Sequence, residues 1–254
     1  FSGKDDECKV TPMTLSRNTR QVEWEPDILP GFEQAALHGH AGGDEAIAVT
    51  LVRRRCLHST GASVLYVHGF IDYFFQNHLA DFYNSRNLDF YAIDLRRHGR
   101  SLRPGQLPNY THDIDEYLHD IDNAIRILRE QEQTNWLLLN GHSTGGLAAA
   151  LYGHRGQHRD HVNAIFLNSP FLDMNLPGWQ AKLVEPLLSA LGKPFPHLRY
   201  PGLSPIYAQS VHVDHRGQWP FRIDWKPIEG FPVYAGWFRA IHRAQNEVAN
   251  GLAI

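Results

Sequence analysis

Short apolar runs recur along the first 170 residues of the chain, separated by segments of mixed polarity. The run AIAVTLV (46–52) alternates and is rich in β-branched residues, which predicts a half-buried antiparallel strand. Four other runs are short and almost continuously apolar, which is typical of strands that are buried on both faces of a parallel sheet. These runs are SVLYV (63–67), FYAIDL (90–95), WLLLN (136–140) and NAIFLN (163–168).

Between these runs the apolar positions follow a helical period. The clearest example is 113–130, DIDEYLHDIDNAIRILRE, in which the apolar residues form one stripe. Its first turn is acidic, and Arg126 and Arg129 lie near its end, so both ends complement the helix dipole. Strands that alternate with helices predict an α/β fold with a doubly wound, mostly parallel sheet.

From about Pro170 the pattern changes to sequence rich in proline, glycine and aromatic residues. We interpret residues 171–254 as a mainly helical cap that lies over the carboxyl edge of the sheet and lines an apolar pocket, because large aromatic side chains usually seal a cleft or a small core. The alternative is a separate domain that faces elsewhere. Four tryptophans are concentrated in this region: Trp179, Trp219, Trp225 and Trp237.

One apolar run leads directly into a serine that is flanked by glycines. In WLLLNGHSTGG (136–146), Gly141 and Gly145 lie two residues before and after Ser143. This is the spacing of a nucleophile elbow, a strained turn between a strand and a helix that exposes the serine and leaves no room for side chains at the flanking positions. A phosphate-binding loop or a dinucleotide-binding motif would need lysine or glycine at other positions. The remaining alternative is a glycine-rich turn without chemistry.

A second motif follows an earlier apolar run. SVLYVHGF ends in His68, Gly69 and Phe70, and acyl transfer needs two backbone N–H donors directed at the oxygen that becomes negative in the tetrahedral intermediate. With a nucleophile elbow, one donor belongs to the residue after the nucleophile and the other to a loop after an earlier strand. We therefore predict that the amides of Phe70 and Thr144 form an oxyanion hole, with Gly69 as a loop glycine. The alternative for His68 and Gly69 is an ordinary turn with a core histidine.

The motifs YVHGF, DLRRHGRS, NGHSTGG and NSPFLDMN occur in this order along the chain. In this respect the sequence resembles the serine-hydrolase branch of the α/β-hydrolase superfamily, which includes monoacylglycerol lipases, lysophospholipases and serine aminopeptidase-like proteins. The resemblance covers about residues 24–254, which leaves 1–23 as an N-terminal extension and 24–170 as the N-terminal part of the hydrolase core. It implies hydrolysis of a lipid-like carboxylic ester through an acyl-enzyme on Ser143, without a cofactor or a metal.

Other functions on the same scaffold stay open. The fold serves equally well as a non-catalytic binding module, or as the framework of a peptidase or an acyltransferase. For DLRRHGRS (94–101) we favour a structural role over a catalytic one: Asp94 ties down the loop that follows its strand, and Gly99 allows a sharp turn.

The order expected for this fold is serine, then an acid, then a histidine, with the last two on loops after later strands. The sequence contains only four candidate parallel strands. We therefore expect that the core resumes beyond Ile254 and that the acid and the histidine lie there. Without its base a serine hydroxyl is a weak nucleophile, and the isolated chain is expected to show little esterase turnover. His212, Asp214 and His215 are less favoured substitutes because they lie in the cap. His142 is interpreted as support for the turn.

Three of the 16 histidines stand close to helical spacing: His154, His158 and His161. Gly153 and Gly156 weaken any helix that would present these rings together, and no cysteine or glutamate base lies nearby. We therefore predict a solvated polar loop there and no metal site.

Composition narrows the classes of partner. With 254 residues, 43% of them hydrophobic, and a formal net charge of −3, the chain is expected to be globular and to lack the basic surface that nucleic acid requires. No apolar run approaches the roughly 20 residues of a transmembrane helix, and the N-terminus lacks the features of a signal peptide. Cys8 and Cys56 are interpreted as unpaired thiols. A cytoplasmic location is expected, with the reservation that the chain begins at Phe1; oligomeric state and acyl-chain length do not follow from the sequence.

Overall fold

The computed structural model describes residues 21–39, 47–174, 178–200 and 204–254. Most of the predicted N-terminal extension, including Cys8, lies outside these ranges. A seven-stranded sheet forms the centre, in the order β1-β2-β3-β5-β4-β6-β7. Its strands are β1 (Glu25–Pro26), β2 (Glu33–Gly39), β3 (Ile47–Arg54), β4 (Ala62–Val67), β5 (Asp89–Asp94), β6 (Trp136–His142) and β7 (Ala164–Asn168).

The four apolar runs predicted as parallel strands do form the parallel part of this sheet. β5 pairs with β4, β4 with β6, and β6 with β7, all in parallel. The strands β1, β2 and β3 add an antiparallel part, which joins the rest through β3 and β5. All four parallel strands therefore end at one edge, where ligands bind in open α/β sheets.

Helices cover both faces of the sheet. They are α1 (Asn77–Asn84), α2 (Asp115–Glu130), α3 (Thr144–Arg155), α4 (Gly178–Leu191), α5 (Ile206–Val211) and α6 (Ala235–Ala249). In the central strands, Leu65 and Ile93 belong to a core shared with α2, α3 and α6, whereas Val64 and Phe90 belong to a smaller core shared with α1. Alternate residues thus face opposite helical layers, which confirms the doubly wound α/β fold.

Strand β3 differs from the prediction in one respect. It is antiparallel to both of its neighbours, as expected, but it is not half-buried. All five residues from Ala48 to Val52 are buried, because the two cores extend over both of its faces: Leu51 packs in the larger core and Val52 in the smaller one. Alternation of apolar and small residues therefore did not indicate a solvent-facing side.

Strand β2 and helix α1 are among the elements that were not assigned from the sequence. Strand β2 pairs along its whole length with β3, although its sequence EQAALHG lacks β-branched residues. Helix α1 has eight residues, no side-chain N-cap and no charges that complement its dipole. A helix this short depends on tertiary packing, and here Ala80 and Tyr83 of α1 pack in the smaller core.

Beyond residue 171 the described chain contains three helices and a two-stranded antiparallel pair, β8 (Arg199–Tyr200) and β9 (Val233–Tyr234). Helix α6 connects the rest of this region to the core. It contacts α4, with Arg239 donating to the Ser189 carbonyl at 3.3 Å, and it contacts α3, with Glu247 and Arg155 paired at 2.6 Å. The region after residue 171 is therefore attached to the sheet through α6.

Among the described strands, β7 pairs with β6 only, so its other edge has no hydrogen-bonded neighbour. Phe166, in the middle of β7, is 53% exposed. A cavity of about 750 Å³ lies beside this edge, between the end of α3 and the last residues, Ala253 and Ile254. Ser143 does not line this cavity.

Candidate active site

Ser143 occupies the turn between β6, which ends at His142, and α3, which begins at Thr144. Its backbone has φ 53° and ψ −120°, a conformation that side chains disfavour and that costs about 1–3 kcal/mol. Four backbone hydrogen bonds hold it: the Ser143 amide donates to the Asn168 carbonyl at 3.1 Å, and the Ser143 carbonyl accepts from Gly146, Leu147 and Phe171 at 2.9–3.1 Å. The strained turn is thus fixed by α3 and by the chain that follows β7.

The two glycines that flank Ser143 lie where backbones approach closely. A β-carbon on Gly141 would lie 2.5 Å from the Gly145 carbonyl oxygen, and one on Gly145 would overlap the carbonyl oxygens of Val67 and His68. All of these obstacles are backbone atoms, which cannot move aside without shifting a strand end. The spacing of the motif therefore reflects the packing of α3 against the ends of β4 and β6.

The loop after β4 faces the serine. A β-carbon added to Gly69 would lie 3.0 Å from the Ser143 Cβ and 3.4 Å from its Oγ. The Phe70 amide comes next in the chain, and Thr144 begins the helix on the other side of the serine, where the first N–H groups of a helix have no intrahelical acceptor. The structure therefore brings Gly69, Phe70, Thr144 and Ser143 together at one edge of the sheet.

His68 fixes the orientation of the peptide between Gly69 and Phe70. Its imidazole is fully buried; Nδ1 lies 2.8 Å from the Gly69 carbonyl oxygen and Nε2 lies 3.0 Å from the Leu95 amide nitrogen. A carbonyl only accepts and an amide only donates, so the ring is neutral with its proton on Nδ1. Because a peptide unit is planar, holding the Gly69 carbonyl also sets the direction of the Phe70 N–H. This role of His68 was not predicted, because the dipeptide His-Gly is its only signal in the sequence.

A second buried imidazole lies against the first. The rings of His68 and His98 are 4.9 Å apart, and His98 contacts the Arg96 carbonyl oxygen through Nδ1 at 2.8 Å. Burial, reinforced by the neighbouring His68, holds the pKa of His98 well below its usual value. His98 is therefore neutral and places no positive charge next to the His68 ring.

His68→Phe is expected to lower the free energy of unfolding by about 2 kcal/mol, because the Gly69 carbonyl and the Leu95 amide would be left buried without partners. If the Phe70 amide stabilises an oxyanion, kcat for ester hydrolysis should also fall by about tenfold with little change in KM. Urea unfolding and steady-state kinetics measure the two effects.

His98→Phe is the matched control, since it removes a buried imidazole that does not contact the Gly69 peptide. It should lose stability but keep the wild-type kcat. Equal losses of kcat in the two variants would contradict a specific role for His68.

The motif DLRRHGRS anchors the same loop from β5. Asp94 accepts hydrogen bonds from the Phe74 amide at 2.8 Å and from the Arg100 amide and guanidinium at 3.0 and 2.9 Å. Arg100 is also paired with Asp27 at 2.6 Å. Gly99 has φ 43° and lies directly against Tyr73. These contacts agree with the structural role expected for Asp94 and Gly99.

Within the described ranges, no side chain hydrogen-bonds to the Ser143 hydroxyl. His142 lies next to the serine, but its Nδ1 contacts the Asn168 carbonyl oxygen at 3.2 Å, as expected for support of the turn. Both ring nitrogens of His212 are occupied, Nδ1 by the Asp214 amide and Nε2 by the Phe221 carbonyl. His212 therefore has a structural role, and the Asp214 side chain beside it is 82% exposed.

The three histidines at helical spacing have separate environments. His154 lies within α3, which continues through Gly153, and accepts from the Ala253 amide at 2.9 Å. His158 contacts the Asp122 carboxylate at 3.0 Å and stacks on His161. The described residues contain no group of three or more histidine, cysteine or acidic side chains arranged to hold a metal ion. The prediction of a polar loop was wrong for His154, which lies in α3, whereas His158 and His161 lie after the end of that helix.

Aromatic side chains from the C-terminal region surround the loop after β4. Trp237 of α6 packs on Phe70 with ring centroids 4.0 Å apart, Trp225 packs edge-on against Tyr73 at 5.2 Å, and Trp219 stacks on His78 at 4.1 Å. On the other side of the serine, Gln245 of α6 donates to the Phe171 carbonyl at 3.0 Å. Residues after 171 thus contact both segments that flank Ser143. The side chain of Trp179 lies outside the described part.

A family model for serine aminopeptidase, S33, matches residues 58–250. A Schizosaccharomyces pombe protein that is provisionally named a monoglyceride lipase is 29% identical over 157 residues. This match covers 60% of the chain but 40% of that protein, so the chain spans well under half the length of this curated relative.

Two solved structures share the fold. The monoacylglycerol lipase of Paleococcus ferrophilus aligns with a TM-score of 0.57 and 23% identity, over 79% of this chain and 72% of that one. A soluble variant of the Saccharomyces cerevisiae monoglyceride lipase, in complex with a substrate analogue, aligns with a TM-score of 0.60 and 16% identity, over 94% and 72% of the two chains.

None of the helices in the described ranges has the length and apolar character needed to cross a bilayer. The family match extends over the His68 loop, the turn at Ser143 and helix α6. Together with the doubly wound sheet, this family match shows that the chain belongs to the serine aminopeptidase S33 family of the α/β-hydrolase superfamily.

Proposed function

We propose that this protein is a serine hydrolase that cleaves carboxylic esters through an acyl-enzyme on Ser143, with lipid-like substrates of the monoacylglycerol or lysophospholipid class. The observation that carries this proposal is the strained turn at Ser143 with the Gly69 loop beside its hydroxyl. A positive φ at a residue other than glycine is costly, and such strain is concentrated at functional sites. The names of the three relatives, each named as a monoacylglycerol (monoglyceride) lipase, support the monoacylglycerol class.

In the proposed reaction the Ser143 Oγ attacks the ester carbonyl carbon, and its proton passes to a general base. The carbonyl oxygen becomes negative and is stabilised by the amides of Phe70 and Thr144. Collapse of this intermediate breaks the ester C–O bond, and the alcohol leaves with a proton. Water then attacks the acyl-enzyme, which releases the carboxylic acid and restores the serine.

We further propose that residues 171–254 cover this site as a cap and contribute apolar surface for the acyl chain. The support is the packing of Trp237 on Phe70 and the hydrogen bond from Gln245 to Phe171. Phe70, Phe171 and Met174 are partly buried and pack on the core that includes Trp237. An acyl chain in contact with these side chains would exchange water for apolar surface, which stabilises binding by about 25 cal/mol per Å².

Labelling with a fluorophosphonate probe tests the mechanism. The full-length gene product is expected to react, and peptide mass spectrometry should place the label on Ser143, because only an activated serine reacts readily. Heat-denatured protein is the control and should not react. A folded protein that resists the probe would favour a non-catalytic binding module.

Substrate class is tested by comparing kcat/KM for a long-chain monoacylglycerol, a lysophospholipid, a short-chain p-nitrophenyl ester and an aminoacyl p-nitroanilide. The lipid esters are expected to be the best substrates. The family model favours a peptidase as the second candidate, and faster cleavage of the anilide than of every ester would select it.

A further inference from the structure

A buried ion pair joins the loop after β4 to the C-terminal region. The Lys226 ammonium donates to the Asp72 carboxylate at 2.7 Å, and the two side chains are 4% and 5% exposed. The residues are 154 positions apart in the chain. This contact therefore forms only when the two regions are packed together.

Aromatic rings exclude water from this pair. The Lys226 Nζ lies 5.2 Å from the centre of the Phe75 ring, 5.3 Å from that of Phe221 and 5.7 Å from that of Tyr207. Removing two charges from water costs as much as their attraction returns, so a buried pair contributes little net stability but is costly to break from one side. The pair is therefore better explained by the arrangement that it specifies than by the stability that it adds.

The backbone next to Phe70 has an unusual conformation. Asp72 is two residues after Phe70, and Ile71 between them has φ 49°, which is a rare conformation for a β-branched residue. Such a conformation persists only when its surroundings impose it. The Phe70 side chain is held by Trp237, and the residue after Ile71 is held by Lys226.

Neighbouring contacts extend this attachment. The Tyr73 hydroxyl accepts from the Arg222 amide at 2.7 Å, and burial raises the pKa of Tyr73 to about 12. Phe75 packs on Phe221 with ring centroids 5.2 Å apart. The segment 221–226 thus contacts Asp72, Tyr73 and Phe75 of the loop. Of these three contacts, the one made by Lys226 is the ion pair.

We propose that Lys226 is a positioning residue: through Asp72 it holds the backbone of residues 70–72 so that the Phe70 amide faces the oxygen that becomes negative during ester cleavage. This inference rests on the proposed function for its kinetic consequence. Its structural part, the hold on residues 70–72, stands independently and is measured separately.

The test compares Lys226→Met, Asp72→Asn and the double variant in the full-length gene product. Lys226→Met leaves a buried carboxylate without a partner, so both Tm and kcat should fall, kcat by about tenfold with KM within twofold. The double variant removes both charges, and Tm should recover. If the pair positions the loop, kcat stays low in the double variant; recovery of kcat together with Tm would show a purely structural role and overturn the proposal.

Asp224→Asn provides the matched control, since it breaks an exposed ion pair with Arg222 in the same segment. It should leave kcat, KM and Tm unchanged. If Lys226→Met does not fold, Asp72→Asn and the double variant are compared with the wild type instead.

Hydrogen exchange separates this inference from the proposed function. Peptides that cover residues 69–75 should exchange about tenfold faster in the double variant than in the wild type or in Asp224→Asn. Unchanged exchange overturns the positioning role even if the protein is an esterase. A wild type that fails to label at Ser143 would instead refute the proposed function, while faster exchange would still support the hold on the loop.

Discussion

Replacement of Ser143 by alanine is expected to lower kcat for ester hydrolysis by about 10⁴- to 10⁶-fold, because the proposed nucleophile is lost while the proposed oxyanion donors remain. The Tm should change little, since the Ser143 side chain makes no hydrogen bond within the described residues and alanine adopts the same backbone. Hydrolysis of a p-nitrophenyl ester and a thermal melt measure both quantities. Full activity in this variant would disprove the assignment of the nucleophile.

Ser143→Gly tests the backbone strain at this position. Glycine adopts φ 53° without the steric cost that alanine retains, so the free energy of unfolding should exceed that of Ser143→Ala by about 1 kcal/mol. Both variants should be inactive. An inactive enzyme that becomes more stable when its serine is removed would show that the strain is kept for catalysis and not for folding.

Gly145→Ala is expected to destabilise the protein by about 3 kcal/mol and to abolish ester hydrolysis. The added methyl group would overlap the carbonyl oxygens of Val67 and His68, and these atoms belong to the end of β4 and the start of its loop. Relief of the overlap requires α3 to move away from β4, which also moves Thr144 and Ser143. Urea unfolding measures the stability and the fluorophosphonate reaction reports the site.

Gly153→Ala, in the same helix, is the control. Its β-carbon would meet the terminal methyl of Ile165 at 2.5 Å, the far end of a flexible side chain, and alanine raises helix propensity by about 1 kcal/mol. This variant should be close to the wild type in stability and activity. If Gly145→Ala behaved in the same way, the tight packing of α3 against β4 would not be required.

The central strands and the elbow were predictable because their signals are local. A parallel strand covered on both faces must be apolar throughout, so β4, β5 and β6 were visible as short runs. The run of β7 is equally apolar, but the prediction that it is buried on both faces was wrong, because β7 lies at the edge of the described sheet and Phe166 is exposed. The glycines around Ser143 are required by the close approach of backbones, and this left a regular spacing in the sequence. Helix α2 was visible for a similar reason, since one of its faces packs on the sheet.

The contacts that hold the site were not predictable, because they join residues that are distant in the chain. Nothing near Lys226 indicates that its ammonium is buried against Asp72, and His68 differs from a core histidine only through its partners Gly69 and Leu95. Strand β2 and helix α1 were missed for a related reason: tertiary packing, rather than local propensity, determines their conformation.

Among the described strands, β7 has one edge without a hydrogen-bonded neighbour. Unpaired N–H and C=O groups along a strand are a template for any other extended chain, and the exposed Phe166 ring adds an apolar surface to that template. The opposite edge of β7 pairs with β6, and the last residue of β7, Asn168, accepts from the Ser143 amide at 3.1 Å. A segment that pairs with the free edge would therefore cover Phe166 and stabilise β7, whose last residue is hydrogen-bonded to the turn at Ser143.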